Sequence, residues 1–355
     1  MNPNDTESLR TGTSWWKVVL AFLLAAALLW LVFKDCDLNA ILGYLKTVDP
    51  VYVISTLIVG LISHILRAWR WIILLKPVAN RSVSLWNSFY AIVSGYVVNL
   101  GIPRGGEVVR LVVMARAEKL PWPGVAPTVF IDRLLDLALL VLIFAAAVPF
   151  IPSKVHEQMS WLTSGSIALM VVTVTALALL PVAAPIMTRA KSLPMIRGHI
   201  PEGISHKLDD LIEQFHQGTR CITDPIAYPM ILLLTGAMWF CYYLTFYLMI
   251  LGFHLEKQVD AMNCFLCFAI GTLGNLVPTP GSVGGFHGMV TSALTMITGI
   301  DKNAAAAFAT VLHFLCFIVS AVIPAAFCWV VESARNKAAA TATASGEQDP
   351  ARGKT

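Results

Sequence analysis

Six stretches of this chain are apolar over roughly the length that a bilayer crossing needs: residues 15–33, 51–75, 123–150, 159–187, 226–251 and 304–331. Inside lipid a segment finds no water for its N–H and C=O groups, so a single span of this length must be helical. Composition agrees, with 57% hydrophobic residues and only 13% charged, where soluble domains carry about 25% charged. The chain therefore reads as an all-α integral membrane protein, with no polar segment long enough to form a soluble catalytic domain. The first run resembles the core of a signal peptide, but Lys34, Asp35 and Asp37 follow it in place of a small-x-small cleavage site, so it is read as an uncleaved span.

Two shorter apolar segments are interrupted in the same manner. One reads Gly95-Tyr-Val-Val-Asn99-Leu-Gly-Ile-Pro103-Arg104-Gly105-Gly106-Glu107. The other reads Gly271-Thr-Leu-Gly-Asn275-Leu-Val-Pro278-Thr-Pro280-Gly281-Ser-Val-Gly284-Gly285. Each gives G-x-x-x-N-L, then proline, then paired glycines, with Gly95, Pro103, Gly105 and Gly106 as turn residues in the first and Pro278, Pro280, Gly281, Gly284 and Gly285 in the second. Gly/Pro-interrupted segments at matching places in two halves mark transporter binding sites; the plainer alternative is a pair of tight turns that bind nothing. The expected fold is six full transmembrane helices plus two broken or re-entrant hairpins, 85–120 and 261–299. The membrane domain covers 16–331, with halves of about 16–152 and 158–331, between an unstructured N-terminus (1–15) and an unstructured tail (332–355).

Charge selects the topology. If both hairpins leave and re-enter on one side, 19 of the 25 Lys and Arg residues share a side; Lys34, Lys46, Lys154, Lys257 and Lys302 lie opposite, and Arg133 lies within a span. Cytoplasmic loops carry the excess of Lys and Arg, so both termini are expected inside, in the cytoplasmic (inner) membrane. The second half then repeats the first in opposite orientation, an inverted repeat.

The residues that could hold a ligand cluster near the first break. Arg133 is expected close to mid-bilayer, where a charge normally faces a cavity or a partner; Asp136, three residues on, is the expected partner, while adjacent Asp132 points elsewhere. Arg104, Glu107 and Arg110 recur every three residues, on one helical stripe, and arginine's planar fork matches a phosphate; a solvated cytoplasmic face is the bland alternative. Asn99 and Asn275 are turn-capping residues first and ligands second. His287 follows the second turn. Arg67 and Arg70 share a helix face, with Trp69 and Trp71 suited to the headgroup belt. Residues 204–215 form an amphipathic helix within the polar loop 189–225.

Protease, hydrolase and P-loop motifs are absent, as is any cluster at metal spacing. Cys264-x-x-Cys267 stands alone in an apolar run and reads as packing. The expectation is a non-enzyme with no metal and no cofactor. The basic residues suit anionic lipid rather than nucleic acid.

Arg67-Ala-Trp-Arg-Trp71, Asn99-Leu-Gly-Ile-Pro-Arg-Gly-Gly-Glu-Val-Val-Arg110, Asp132-Arg133 and Pro278-Thr-Pro-Gly-Ser-Val-Gly-Gly285 together resemble the flippase-like membrane domain family, also called the lysylphosphatidylglycerol synthase transmembrane region. The resemblance covers about 15–331. It implies a translocator of a phospholipid or lipid-linked intermediate with a phosphate-bearing headgroup, without the synthase activity of members that carry a fused transferase domain. The chain departs from the family at Asp132 and His287, where glutamate is usual, and at His313, where arginine is usual. Two alternatives stand beside this: an accessory subunit that holds an envelope-lipid synthesis enzyme through loop 189–225, and a proton-coupled solute transporter using Asp132 and Asp136.

Overall fold

The computed structural model describes residues 15–158, 161–192, 202–219 and 226–346. The described residues form helices and turns, with no strands. The expected unstructured N-terminus lies outside them, apart from its last residue.

The first half comprises α1 (Trp15–Phe33), α2 (Leu38–Thr47), α3 (Pro50–Ala79), α4 (Leu85–Gly101), α5 (Gly106–Ala117) and α6 (Trp122–Ala147), followed by the short α7 (Ser153–Gln158). The second comprises α8 (Trp161–Ser192), α9 (Glu202–Thr219), α10 (Tyr228–Gly252), α11 (Ala261–Leu273), α12 (Gly285–Thr298), α13 (Lys302–His313) and α14 (Ser320–Gly346). Starts are set by short polar caps. Asp49 accepts from the Val51 N–H with Pro50 in the first turn, Ser84 accepts from Asn87, Asp260 from Asn263, and Asp301 from Asn303 and Ala304.

The same five-part order therefore occurs twice: span, short helix, span, two-armed hairpin, span. Packing repeats with it. α4 lies against α14 as α11 lies against α6, and α2 packs on α13 as α9 packs on α6. The amphipathic helix expected in loop 189–225 is thus the counterpart of α2. α3 and α10, the equivalent second spans, pack along their length and run antiparallel: the Asp49 N–H donates to Gly252, while Arg67 and Arg70 reach Tyr242 and Thr235.

Among the described residues, four helices are long and apolar enough to cross a membrane: 15–33, 50–79, 228–252 and 302–335. The third expected span, α6, has 26 residues but carries Asp132, Arg133 and Asp136 in its middle, and becomes tolerable in lipid only because those charges are paired. Side chains of α8, the fourth, are described only in part. Span six is continuous but not regular. A π-turn over Phe314–Val319 separates α13 from α14 and brings Ser320 against Gly60 and His64, with 3.3 Å between Ser320 Oγ and His64 Nε2. The chain expected to lose structure from 332 instead stays helical to Gly346.

The hairpin arms have 17, 12, 13 and 14 residues, short of the ~20 that a crossing takes. Each hairpin closes at a glycine pair eleven residues apart. A Cβ on Gly106 would collide with the Gly95 carbonyl, and one on Gly285 with the Gly274 carbonyl. This close approach corrects the register expected from G-x-x-x-N-L. Gly95 corresponds to Gly274 rather than Gly271, so Asn99 falls opposite Pro278 and not Asn275. Asn99 Oδ1 accepts from the Gly106 N–H at 2.8 Å and locks the first turn, while Asn275 is exposed in a 3-10 turn.

Lys302 pairs with Asp35 at one end; at the other, Arg81 pairs with Glu118, and the Gly124 carbonyl sits close to Gly218.

Candidate functional site: a buried arginine–carboxylate cluster

The helix that begins at Pro50 does not stop at 75 but runs on to Ala79. Arg67 and Arg70 therefore lie inside the bundle and not at its rim, with 3% and 0% of their surface exposed. Trp71, expected in the headgroup belt, is fully buried; Trp69 faces outward. Two elements bring carboxylates and further arginines to the same place, α6 with Asp132, Arg133 and Asp136 and α5 with Glu107 and Arg110, and α10 adds the hydroxyls of Thr235 and Tyr242.

Asp132 is the hub, which corrects the expectation that it points away. It is fully buried. Arg70 donates to its Oδ1 from Nη2 at 2.6 Å and from Nε at 3.0 Å, and Nη2 also reaches its backbone carbonyl at 3.1 Å. Arg110 donates from Nη1 to Oδ2 at 2.6 Å, and Arg67 from Nη1 at 3.3 Å. Asp136 accepts from Arg67 at 2.6 Å and from Arg70 at 2.7 Å. Tyr242 and Thr235 accept the outer Nη donors of Arg67 and Arg70 at 2.9 and 3.0 Å. The Arg110 guanidinium lies 3.9 Å from the Trp71 ring centroid, a cation–π contact that desolvation strengthens. Charge-assisted bonds of this length are the strong ones, and three arginines in lipid need them.

Arg133 stands at the edge. Its side chain is 33% exposed; Nε is 3.2 Å from Glu107 Oε1, and Nη1 is 3.7 Å from Asp136. The expected Arg133–Asp136 pair is therefore the loosest contact of Asp136, whose close partners are Arg67 and Arg70. The expected stripe of Arg104, Glu107 and Arg110 also dissolves. Arg104 precedes the helix in left-handed backbone (φ 61°) and is exposed, Glu107 is half-buried beside Arg133, and Arg110 is buried under Asp132. His287 is not in a loop but in the first turn of α12, buried 4.7 Å from the His313 ring, and His313 Nε2 lies 2.7 Å from the Gly281 carbonyl. That pair ties the second turn to α13. Gly281 and Gly284 occupy left-handed backbone there, whereas Gly105 and Gly106 serve by size.

The site holds four guanidinium groups (Arg67, Arg70, Arg110, Arg133) and three carboxylates (Glu107, Asp132, Asp136), one positive charge in excess. Arg67 Nε, Arg110 Nε and Nη2, and Arg133 Nε are buried without a hydrogen-bond acceptor. A buried donor left unmade costs about 1–3 kcal/mol, so the cluster carries unmet donors as well as an excess positive charge. Among the described residues no group of His, Cys, Asp and Glu is placed to hold a metal.

Sequence reasoning missed Arg67 and Arg70 because a charge near the end of an apolar run looks like a rim residue. Their spacing of three matched against the Asp132/Asp136 spacing of four was the available signal: two positive and two negative side chains, each pair on one helix face.

Fold and site together define an all-α polytopic membrane protein with a charged centre. The family described as the lysylphosphatidylglycerol synthase TM region matches residues 18–323, and the chain belongs to it. Comparison with curated proteins and with solved structures gave no match. Membership links the chain to lipid handling.

Proposed function

We propose that this protein moves a phosphate-bearing lipid, a phospholipid or a lipid-linked intermediate, across the cytoplasmic membrane and performs no covalent chemistry. The observation that carries this reading is the excess positive charge of the buried cluster, which keeps unmet donors on Arg67 and Arg110 and has the partly exposed Arg133 at its edge. A phosphate monoanion would neutralise the excess and accept from those donors, and the guanidinium fork fits it. The family's link to lipid handling points the same way. The short arms, which fall short of a crossing, would serve as gates on either side.

Orientation follows from charge. Arg67, Arg70 and Arg110 are buried and leave the loop count, but the other sixteen basic residues on that side still outnumber the five opposite. Both termini are therefore assigned to the cytoplasm. A proton relay through Asp132 and Asp136 is the weaker reading, since each carboxylate is already held by at least two arginines.

Vesicles holding the purified protein and a fluorescent phosphatidylglycerol test this, with a membrane-impermeant quencher reporting lipid that changes leaflet. Wild type should expose inner-leaflet probe; Arg133→Lys, which keeps the charge and loses the fork, should slow it. No movement by wild type, or equal rates for wild type, Arg133→Lys and Arg133→Ala, would overturn the proposal.

A further inference from the structure

α1 is the most loosely held span, packing mainly on α12 and the Pro280–Ser282 turn. Most of its large apolar side chains face outward, among them Leu20, Phe22, Leu23 and Leu24. Between it and the hairpin turns lies a cleft of about 310 Å³, lined by Ala21 and Leu24 of α1, Ile102 and Pro103 of the first turn, Pro278 of the second, and Lys17 at one end. The two turns touch behind it, where Gly281 approaches Leu100. The cleft is at the low end of ligand-pocket volumes, about 300–1,000 Å³, room for part of an acyl chain, and apart from Lys17 its lining side chains are apolar.

The cations near this slot are the second observation. Lys17 stands over Trp16 and is exposed. Arg104 directly follows Pro103, is exposed, and takes left-handed backbone at φ 61°, a conformation that favours glycine. Glycines occupy the next two positions, yet the strained one carries an exposed guanidinium, one residue beyond the Pro103 that lines the cleft.

We propose that this cleft is a lateral docking site for an anionic phospholipid, with one acyl chain in the apolar slot and the phosphate held by Lys17 and Arg104. The inference rests on the lipid-translocating reading above and adds where the lipid leaves the bilayer. It joins two sites in series, exposed cations at the turn and the buried cluster beyond it on α5 and α6.

The test uses the full-length protein in vesicles with photoactivatable phosphatidylglycerol or phosphatidylcholine, each bearing the reactive group on an acyl chain. Label should fall on residues 18–24 and 102–103 and favour phosphatidylglycerol. Lys17→Gln and Arg104→Gln should each reduce that preference about fivefold, the factor corresponding to ~1 kcal/mol per basic side chain at a lipid surface. Leu24→Trp, at an exposed position, should fill the slot and abolish labelling without unfolding the bundle. Equal labelling by both lipids, no stronger than on the outward face of α8 at Ile167 and Val171, would mean boundary lipid and overturn the site. Crosslinking of α1 to a second copy would overturn it as well. If Leu24→Trp abolishes labelling but translocation continues unchanged, the portal role is wrong and translocation stands. If labelling shows the expected preference while wild type moves no lipid, translocation is wrong and the docking site stands.

Discussion

Replacing Asp132 by asparagine removes a charge that three buried arginines share. With the amide nitrogen in place of Oδ2, Arg110 would lose its one carboxylate among the described residues and its 2.6 Å bond, while the two Arg70 bonds to Oδ1 would meet a neutral oxygen in place of a charged one. The asparagine NH2 would add a donor where only donors converge, and the cluster's excess would rise from one positive charge to two. Breaking a buried ion pair from one side costs about 3–5 kcal/mol, because the partner left behind is still buried. That corresponds to roughly two to four orders of magnitude in the unfolding equilibrium. Arg133→Ala removes a side chain that is 33% exposed and only loosely placed, 3.2 Å from Glu107 and 3.7 Å from Asp136, so it should cost at most about 1 kcal/mol. Equilibrium unfolding in mixed micelles measures both. The expected order is Asp132→Asn well below Asp136→Asn, and Arg133→Ala close to wild type. If Arg133→Ala destabilises as much as Asp132→Asn, the hub is misassigned and the span-three pair read from sequence spacing is the right one.

Gly106→Ala and Gly285→Ala should each cost about 1–3 kcal/mol by forcing a hairpin apart, since each new Cβ would strike the facing glycine's carbonyl, whereas Gly43→Ala and Gly101→Ala meet open space and should be neutral; thermal stability in detergent separates the two groups. At the turn between α5 and α6, burial pushes the Glu118 carboxyl up, but hydrogen bonds from Asn87, the Ser84 N–H and Arg81 outweigh it and hold the pKa below the ordinary value. A depressed pKa stabilises above the unfolded value, near 4.3, and the contribution disappears as pH falls through the folded one; proteolysis at residues 80–84 should therefore rise on acidification, and in Glu118→Gln should be fast already at neutral pH. Cysteines placed at 302 and 335 should react with an impermeant reagent from outside and inside respectively, and labelling of 335 from outside would invert the assigned topology.

Much of the architecture is legible in the residues because lipid leaves few choices. A long apolar run must be a helix, a Gly/Pro-broken run must turn, and the sidedness of Lys and Arg orders the loops. Those rules found the all-helical class, four of the expected spans, the two broken pairs of short helices and the amphipathic helix of 202–219. Registers and partners were beyond them. Whether Gly95 answers Gly271 or Gly274 depends on where two backbones come closest, and a three-residue difference is invisible in a motif of common residues. Arg67 and Arg70 look like rim charges until α3 is seen to continue to Ala79 and to lie beside α6 and α10. Asp132 looks like a neighbour of the important arginine until the rotation of α6 turns it inward and leaves Arg133 at the edge. Local sequence determines what each helix can tolerate. Which charge meets which is decided by helix rotation and depth in the packed bundle, because a buried ion needs several partners and these come from four separate elements.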